Sequence, residues 1–297
     1  MVSFTNRHPH RSAFRLLLVA PLLTAGGCAS AGHTARPAAP AGYELVWSDE
    51  FDHDGRPDPH NWTYERGFVR NHEAQWYQPE NARVEDGRLI IEARRERLRN
   101  PRYDSTSTDW RRSREYADYT SASLTTRGLH AWRYGRFEMR ARIPVSPGMW
   151  PAFWTVGEHG RWPASGEIDI MEYYRDMLLA NVAWAGADGK AEWDDTRRPL
   201  AQLGDSAWAS RFHVWRMDWD EKEIRLYVDD SLLNTTALDS TFNADGSGGN
   251  PLRQAHHVIL NLAIGGDNGG DPGATHFPAR YEIDYVRVYR RVPAGAP

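Results

Sequence analysis

The sequence predicts an all-β protein, a jelly-roll β-sandwich of two antiparallel sheets with a concave substrate cleft. Three observations lead there. The chain from Tyr43 onward reads as ten or more short segments rich in β-branched and aromatic residues, separated by turn residues and with little helical periodicity. Two tight hairpin signals occur inside that span. About 250 residues follow the N-terminal region without a repeat or a second linker, a length that a single β-sandwich fills.

Taken in order, the first segment is not part of that domain. Arg7, Arg11 and Arg15 precede the apolar run Leu16 to Ala25, and small Gly26 and Gly27 lead to Cys28. A basic region, a short apolar region and a small-residue exit form a secretory signal. The run is too short to span a bilayer, which takes about 20 residues. Residues 1–27 are therefore expected to be a signal peptide. Cys28 is the only cysteine, and Ala25-Gly26-Gly27-Cys28 is similar to the lipidation site of bacterial lipoproteins. Lipidation there anchors a protein to a membrane without spanning it. Residues 29–42 are small and proline-containing, as a tether is. The expectation is an exported, membrane-anchored lipoprotein, or otherwise a periplasmic or secreted protein. Its folded domain covers 43–291, and 292–297 form a tail.

Tyr43 to Phe51 makes the first strand. Arg83 to Glu85 and Arg88 to Ala93 flank Asp86-Gly87, a strong hairpin signal. Phe137, Met139, Ala141 and Ile143 alternate with Glu138, Arg140 and Arg142, the pattern of a half-buried strand. Phe212 to Trp219 and Ile224 to Val228 make a second hairpin around Asp220 to Glu223. His256 to Ile264 and Tyr281 to Tyr289 complete the set.

One stretch carries chemistry. Glu167-Ile168-Asp169-Ile170-Met171-Glu172 places three carboxylates within six residues of an apolar strand. On a regular strand Glu167 and Asp169 share a face and Glu172 points away. A β-bulge at Ile170-Met171 restores Glu172 to that face, with the two glutamate Cα atoms roughly 13 Å apart. Side chains leaning inward then approach the roughly 5–5.5 Å carboxyl separation of a retaining glycosidase. A merely structural strand gains nothing from three clustered like charges. Trp150 and Trp154 are four apart and so share one face, and Trp162 precedes the motif. They are either platforms for sugar rings or core tryptophans.

Glu-Ile-Asp-Ile-Met-Glu, Trp150 to Trp154, Gly135-Arg136-Phe137-Glu138, Asn261 to Gly266 and Ile283 to Tyr289 together resemble glycoside hydrolase family 16, in its laminarinase-like, bulged-motif form. The resemblance runs from about Tyr43 to about Arg290. It implies a retaining, endo-acting hydrolase of a β-linked polysaccharide, with Glu167 as nucleophile, Glu172 as acid/base and Asp169 as their electrostatic partner. β-1,3-Glucan of the laminarin type leads as substrate. Hydrolysis of a β-galactan of the agar type, transglycosylation by the same intermediate, and non-catalytic carbohydrate binding are the alternatives. The segment Asn71 to Tyr77 resembles a cleft-lining segment of the family, which assigns Asn71 and Glu73 to sugar hydroxyls. Asn261 and Arg136 join that set. Where laminarinase-like members carry a histidine after the motif, this chain has Leu178 to Trp184, so Trp184 or Asn181 takes that role.

The family also implies a structural Ca²⁺ held by Glu50, the Gly87 backbone and Asp284, oxygen ligands of the kind calcium takes; catalysis needs no cofactor. No His/Cys cluster points to a transition metal. With 36 basic and 40 acidic residues the net charge is −4, which excludes nucleic acid as a partner on whole-chain charge. The arginine-rich tract from Arg94 to Arg114 is diluted by Glu96, Asp104 and Asp109 and is expected in solvated loops, with contact to an anionic polysaccharide as the lesser reading. The partners expected are a polysaccharide and a membrane, and the protein is expected to be a monomer.

Overall fold

Alternation along the strands decides the architecture. In Gly135–Arg142 every second residue is buried, and Phe137, Met139 and Ala141 are completely covered. A strand with one buried face packs on a second sheet. The computed structural model describes residues 38–292. The expected signal peptide, Cys28, most of the tether and the tail from 293 lie outside the described residues.

The strand Ala279–Arg291 is the spine of the first sheet. It pairs with Gly135–Arg142 on one side and Arg88–Ala93 on the other, and its end takes up Tyr43–Asp49. His213–Trp219, Glu223–Val228 and Ser231–Ala237 extend one edge, and Ala82–Glu85 closes the other. Both hairpins read from the sequence are present, at Ala82–Glu85 with Arg88–Ala93 and at His213–Trp219 with Glu223–Val228. Asp86 and Gly87 both have positive φ, 52° and 69°. That is the geometry for which hairpin turns use Asp-Gly.

The second sheet runs Ala191–Pro199, Met177–Ala185, Glu167–Tyr174, Met149–Gly157, His256–Ile264, Ser123–Thr125 and Thr63–Tyr64. Every neighbour in it is antiparallel. Its inner face contributes Phe153, Ile168, Ile170, Met171, Val258, Leu260 and Leu262 to a core shared with Phe137, Met139, Trp215 and Met217 of the first sheet. The motif strand is therefore interior to the sheet, with two strands on one side and four on the other. The fold is the two-sheet antiparallel jelly roll that the sequence predicts.

The bulge is where it was expected. Asp169 pairs with Asn181 and Glu172 with Leu179, so three steps on the motif strand face two on its neighbour. On the other side Met171 opposes Phe153 and Asp169 opposes Trp154. Ile170 and Met171 both enter the core. Two successive inward residues are what return Glu172 to the outer face with Glu167 and Asp169.

Candidate active site

The outer face of the second sheet holds a cleft of about 1040 Å³, and Glu167, Asp169 and Glu172 all line it. Each glutamate accepts one short bond from an indole. Trp150 Nε1 donates to Glu172 Oε1 at 2.7 Å, and Trp162 Nε1 donates to Glu167 Oε2 at 2.7 Å. Asn181 Nδ2 reaches the second oxygen of Glu172 at 3.4 Å. Burial raises the pKa of both glutamates to about 7, and the indole bonds offset part of that rise.

Their further neighbours differ. Glu167 feels the positive charge of Arg70 and a hydrogen bond from Asp169, both of which favour its ionised form. Glu172 feels the negative charges of Glu167 and Glu73, which favour its protonated form. Asp169 is pushed well above the usual carboxylate range by burial and then by both glutamates. Its buried Oδ2 has no hydrogen-bond partner. A hydrogen bond with Glu167 adds to the rise. Like charges this close cannot all ionise together, and the surroundings favour the anion at Glu167 over Asp169 and Glu172.

Trp150, Trp154 and Trp162 all line the cleft, but not as three equal platforms. Trp150 is 5 % exposed, its ring edge-on to Tyr174 at 5.4 Å. Trp154 is also mostly covered, with the Arg70 guanidinium 5.0 Å from its ring centroid and its Nε1 on Asn261 Oδ1 at 2.7 Å. Trp162 is 53 % exposed and presents an open ring beside Glu167. Trp193, at the edge strand Ala191–Pro199, is a further exposed indole on the cleft that the sequence reading missed. Alternation along that strand also puts Asp195 and Arg197 in the cleft, joined at 3.0 Å.

Asn71, Glu73 and Asn261 also line the cleft. Asn71 and His72 both have positive φ, 53° and 48°. Their loop is pinned from below: Arg114 donates to the carbonyls of His72 and Glu73, Arg111 to that of Val69, and Asp267 N to that of Asn71. The arginine tract thus has work inside the protein. Its other members pair with Glu92, Asp118, Glu115 and Asp104 or lie over Trp76, Tyr116 and Tyr119.

Two expectations are corrected. Trp184 does not face the cleft; it packs in the core with Val182 and Ala180, because it lies an odd number of residues from cleft-facing Asn181. Asn181 is the residue of that stretch beside Glu172. Arg136 sits in the other sheet, bound in a fork to Asp218 at 2.6 and 2.9 Å and lying over Tyr43. It touches no part of the cleft.

Of the residues expected to hold Ca²⁺, Glu50 follows the strand Tyr43–Asp49, Gly87 is in the hairpin turn and Asp284 is on Ala279–Arg291, but they do not fit the ion as arranged. Both oxygens of Glu50 accept from Arg287, at 2.9 and 2.7 Å, and Asp284 accepts from Arg140 at 2.7 Å. Among the described residues no group of three or more His, Cys, Asp or Glu could hold a metal.

Known proteins are similar to this chain. The family described as Glycosyl hydrolases family 16 matches residues 70–287. A beta-glucanase of Rhodothermus marinus is 39% identical over 285 residues, covering 90% of this chain and 91% of that protein. The X-ray structure of the laminarinase from Rhodothermus marinus superposes with a TM-score of 0.66 at 41% identity, covering 84% of this chain and 98% of that one. A second structure comes from work on endo-acting O-glycanases with which gut microbiota initiate mucin breakdown. It gives a TM-score of 0.78 at 34% identity, over 86% of this chain and 94% of that one.

Proposed function

The chain belongs to glycosyl hydrolase family 16, and from that premise we propose that it is an endo-acting, retaining hydrolase of β-1,3-glucan. The observation that carries the mechanism is the bulge at Ile170-Met171, which puts two glutamates of unlike electrostatic surroundings into one cleft. Glu167, favoured as the anion, attacks the anomeric carbon of the bound sugar. The bond to the leaving sugar breaks as Glu172 delivers its proton to the departing oxygen. A glycosyl ester on Glu167 results. Glu172, now the anion, takes a proton from water; the water oxygen attacks the anomeric carbon, and Glu167 leaves as carboxylate.

Asp169 works between the two. Its proton, directed at Glu167, stabilises the carboxylate that leaves in the second step. Trp162 and Trp193 offer ring faces for sugars on the cleft walls. Asn71, Glu73 and Asn261 supply polar atoms for hydroxyl groups. A long cleft open to solvent admits the middle of a chain, which suits endo-action. The glucan assignment is supported by the beta-glucanase and laminarinase relatives.

The test is reducing-sugar release from laminarin, mixed-linkage glucan, agarose and a β-galactan, with Glu167→Ala as the blank. Release from laminarin that vanishes in the blank is the expected result. Release from a galactan alone would overturn the substrate and keep the chemistry. Activity unchanged in Glu167→Ala would overturn the mechanism.

We also propose that the protein is exported and held at a membrane by a lipid on Cys28, as a monomer tethered by residues 29–42. The basic and apolar leader and the lone cysteine support this. Cell fractionation checks it: Cys28→Ala should move from the membrane to the soluble fraction.

A further inference from the structure

Arg70 is a cleft cation with no task in the reaction scheme above. It stands in the loop before Gln75–Tyr77 and lines the cleft with Trp154 and Glu167. Its guanidinium bonds both carboxylate oxygens of Glu65 and lies over the Trp154 ring. Glu65 is itself fixed, accepting from the Ser123 hydroxyl at 2.6 Å while its N–H donates to the Ser123 carbonyl at 3.1 Å. Both side chains of the pair are only 23% exposed, so this is not one of the loose surface ion pairs that contribute little. Trp154 stands directly opposite Asp169 in the strand ladder. The cation is therefore held in place one indole away from the carboxylates.

We propose that Arg70 is a positioning residue for the glycosidase reaction: seated on Trp154 and partly neutralised by Glu65, it keeps the nucleophile Glu167 ionised while Glu172 holds its proton. The proposal rests on the reading of Glu167 as nucleophile.

The other charges around Glu167 are paired, negative or exposed at the rim. Asp169 and Glu172 lie on its own strand. From His256–Ile264, His257 is paired with Glu158 at 2.6 Å. From the far edge, Asp195 and Arg197 pair with each other. Glu73 lies on the same loop as Arg70 and pushes on Glu172. Arg127 and Arg161 stand at the exposed rim, where water screens them. Arg70 is the cation whose field favours the Glu167 anion. Burial works against its own charge, and Glu65 and Glu73 more than restore it.

The test reads the sign of a shift. The acidic limb of kcat/KM against pH reports ionisation of the nucleophile in the free enzyme. Arg70→Met removes the cation and should move that limb up by about one unit, the lower end of what a neighbouring opposite charge contributes. Activity then falls about tenfold below the limb and little above it. Glu65→Gln leaves the cation less neutralised and should move the limb down. Arg70→Lys keeps the charge and should leave the limb close to that of the parent protein.

Opposite shifts from Arg70→Met and Glu65→Gln establish the role, because a purely structural pair would move both in one direction or neither. A pH-independent loss with an unmoved limb overturns it and makes Arg70 a sugar ligand or a loop support. If Arg70→Met does not fold, Glu65→Gln decides: a limb that stays or rises overturns the proposal. Titration of the Glu167 carboxyl by ¹³C NMR separates the two questions. A protein that cleaves none of the glycans refutes the functional reading, while the direction of that titration in the variants still decides the role of Arg70.

Discussion

Each glutamate of the cleft accepts a bond from one indole, and cutting the two bonds separately tests which glutamate is the proton donor. Trp150→Phe removes the 2.7 Å bond to Glu172 and keeps an aromatic ring in place. A hydrogen bond to a charged group contributes about 1.5–3 kcal/mol. At the lower end, and at about 1.4 kcal/mol per pKa unit, its loss raises the Glu172 pKa by about one unit. Trp162→Phe removes the matching bond to Glu167. That indole is 53 % exposed, water replaces much of the lost interaction, and the shift should be about half as large.

Both substitutions raise a pKa, since both bonds favour a carboxylate. They should move different limbs of the pH profile. Trp150→Phe lets the acid hold its proton longer and extends the basic limb upward. Trp162→Phe makes the nucleophile harder to ionise and moves the acidic limb upward. The two carboxyls titrate as a pair, so the limbs are properties of the pair, yet the choice of limb follows the residue. The assay is kcat/KM on laminarin over roughly pH 4 to 9, a range spanning both limbs. If Trp150→Phe moves the acidic limb, or if neither variant moves any limb, the assignment of Glu172 as donor is refuted.

Three further outcomes follow from the geometry. The folded-state pKa of Glu172 is raised from 4.5 to about 7, so its stabilising protonated form is complete below about pH 4.5 and is lost as pH rises through about 7. Glu172→Gln should therefore match the parent protein in calorimetric Tm at acid pH and exceed it at alkaline pH, by about 2–4 °C per kcal/mol; equal Tm at both extremes would refute the buried charge. At Gly266, where φ is +70°, an added Cβ would come within 2.5 Å of the Asn71 carbonyl and 2.9 Å of Glu73 Cα. Gly266→Ala should displace that loop and raise KM several-fold with a smaller effect on kcat, and an unchanged KM would detach the loop from substrate. Arg136→Met breaks a partly buried fork with Asp218; it should cost about 1–3 kcal/mol in denaturant unfolding and leave KM unaltered, whereas a raised KM would restore Arg136 to the substrate site.

Local signals carried much of this molecule. Asp86-Gly87 demands a hairpin because few other pairs tolerate two positive φ angles. The alternation through Phe137, Met139 and Ala141 shows a strand with one wet face. The acidic motif needs a bulge to bring its ends to one face, and the bulge lies between Asp169 and Glu172. Trp184 failed as a reading because proximity to a motif in sequence says nothing of face. Counting from Asn181 by twos would have placed it in the core.

The sequence by itself determined the class of fold, the strand that bears the carboxylates and the chemistry those carboxylates can perform. These rest on periods of two, turn residues and spacing, which act between residues near in the chain. The tertiary structure decided the surroundings of each glutamate, because the groups that bias the pair come from separate elements. Arg70 and Glu73 arrive from a loop about a hundred residues upstream, Trp150 and Asn181 from the two flanking strands, and Trp162 from the connection between strands. It also took Arg136 out of the site, since only the pairing with Asp218 shows to which sheet that charge belongs. Electrostatic bias falls with distance in space and not along the chain, so the pattern named the carboxylates and the packing of the chain set the field around them.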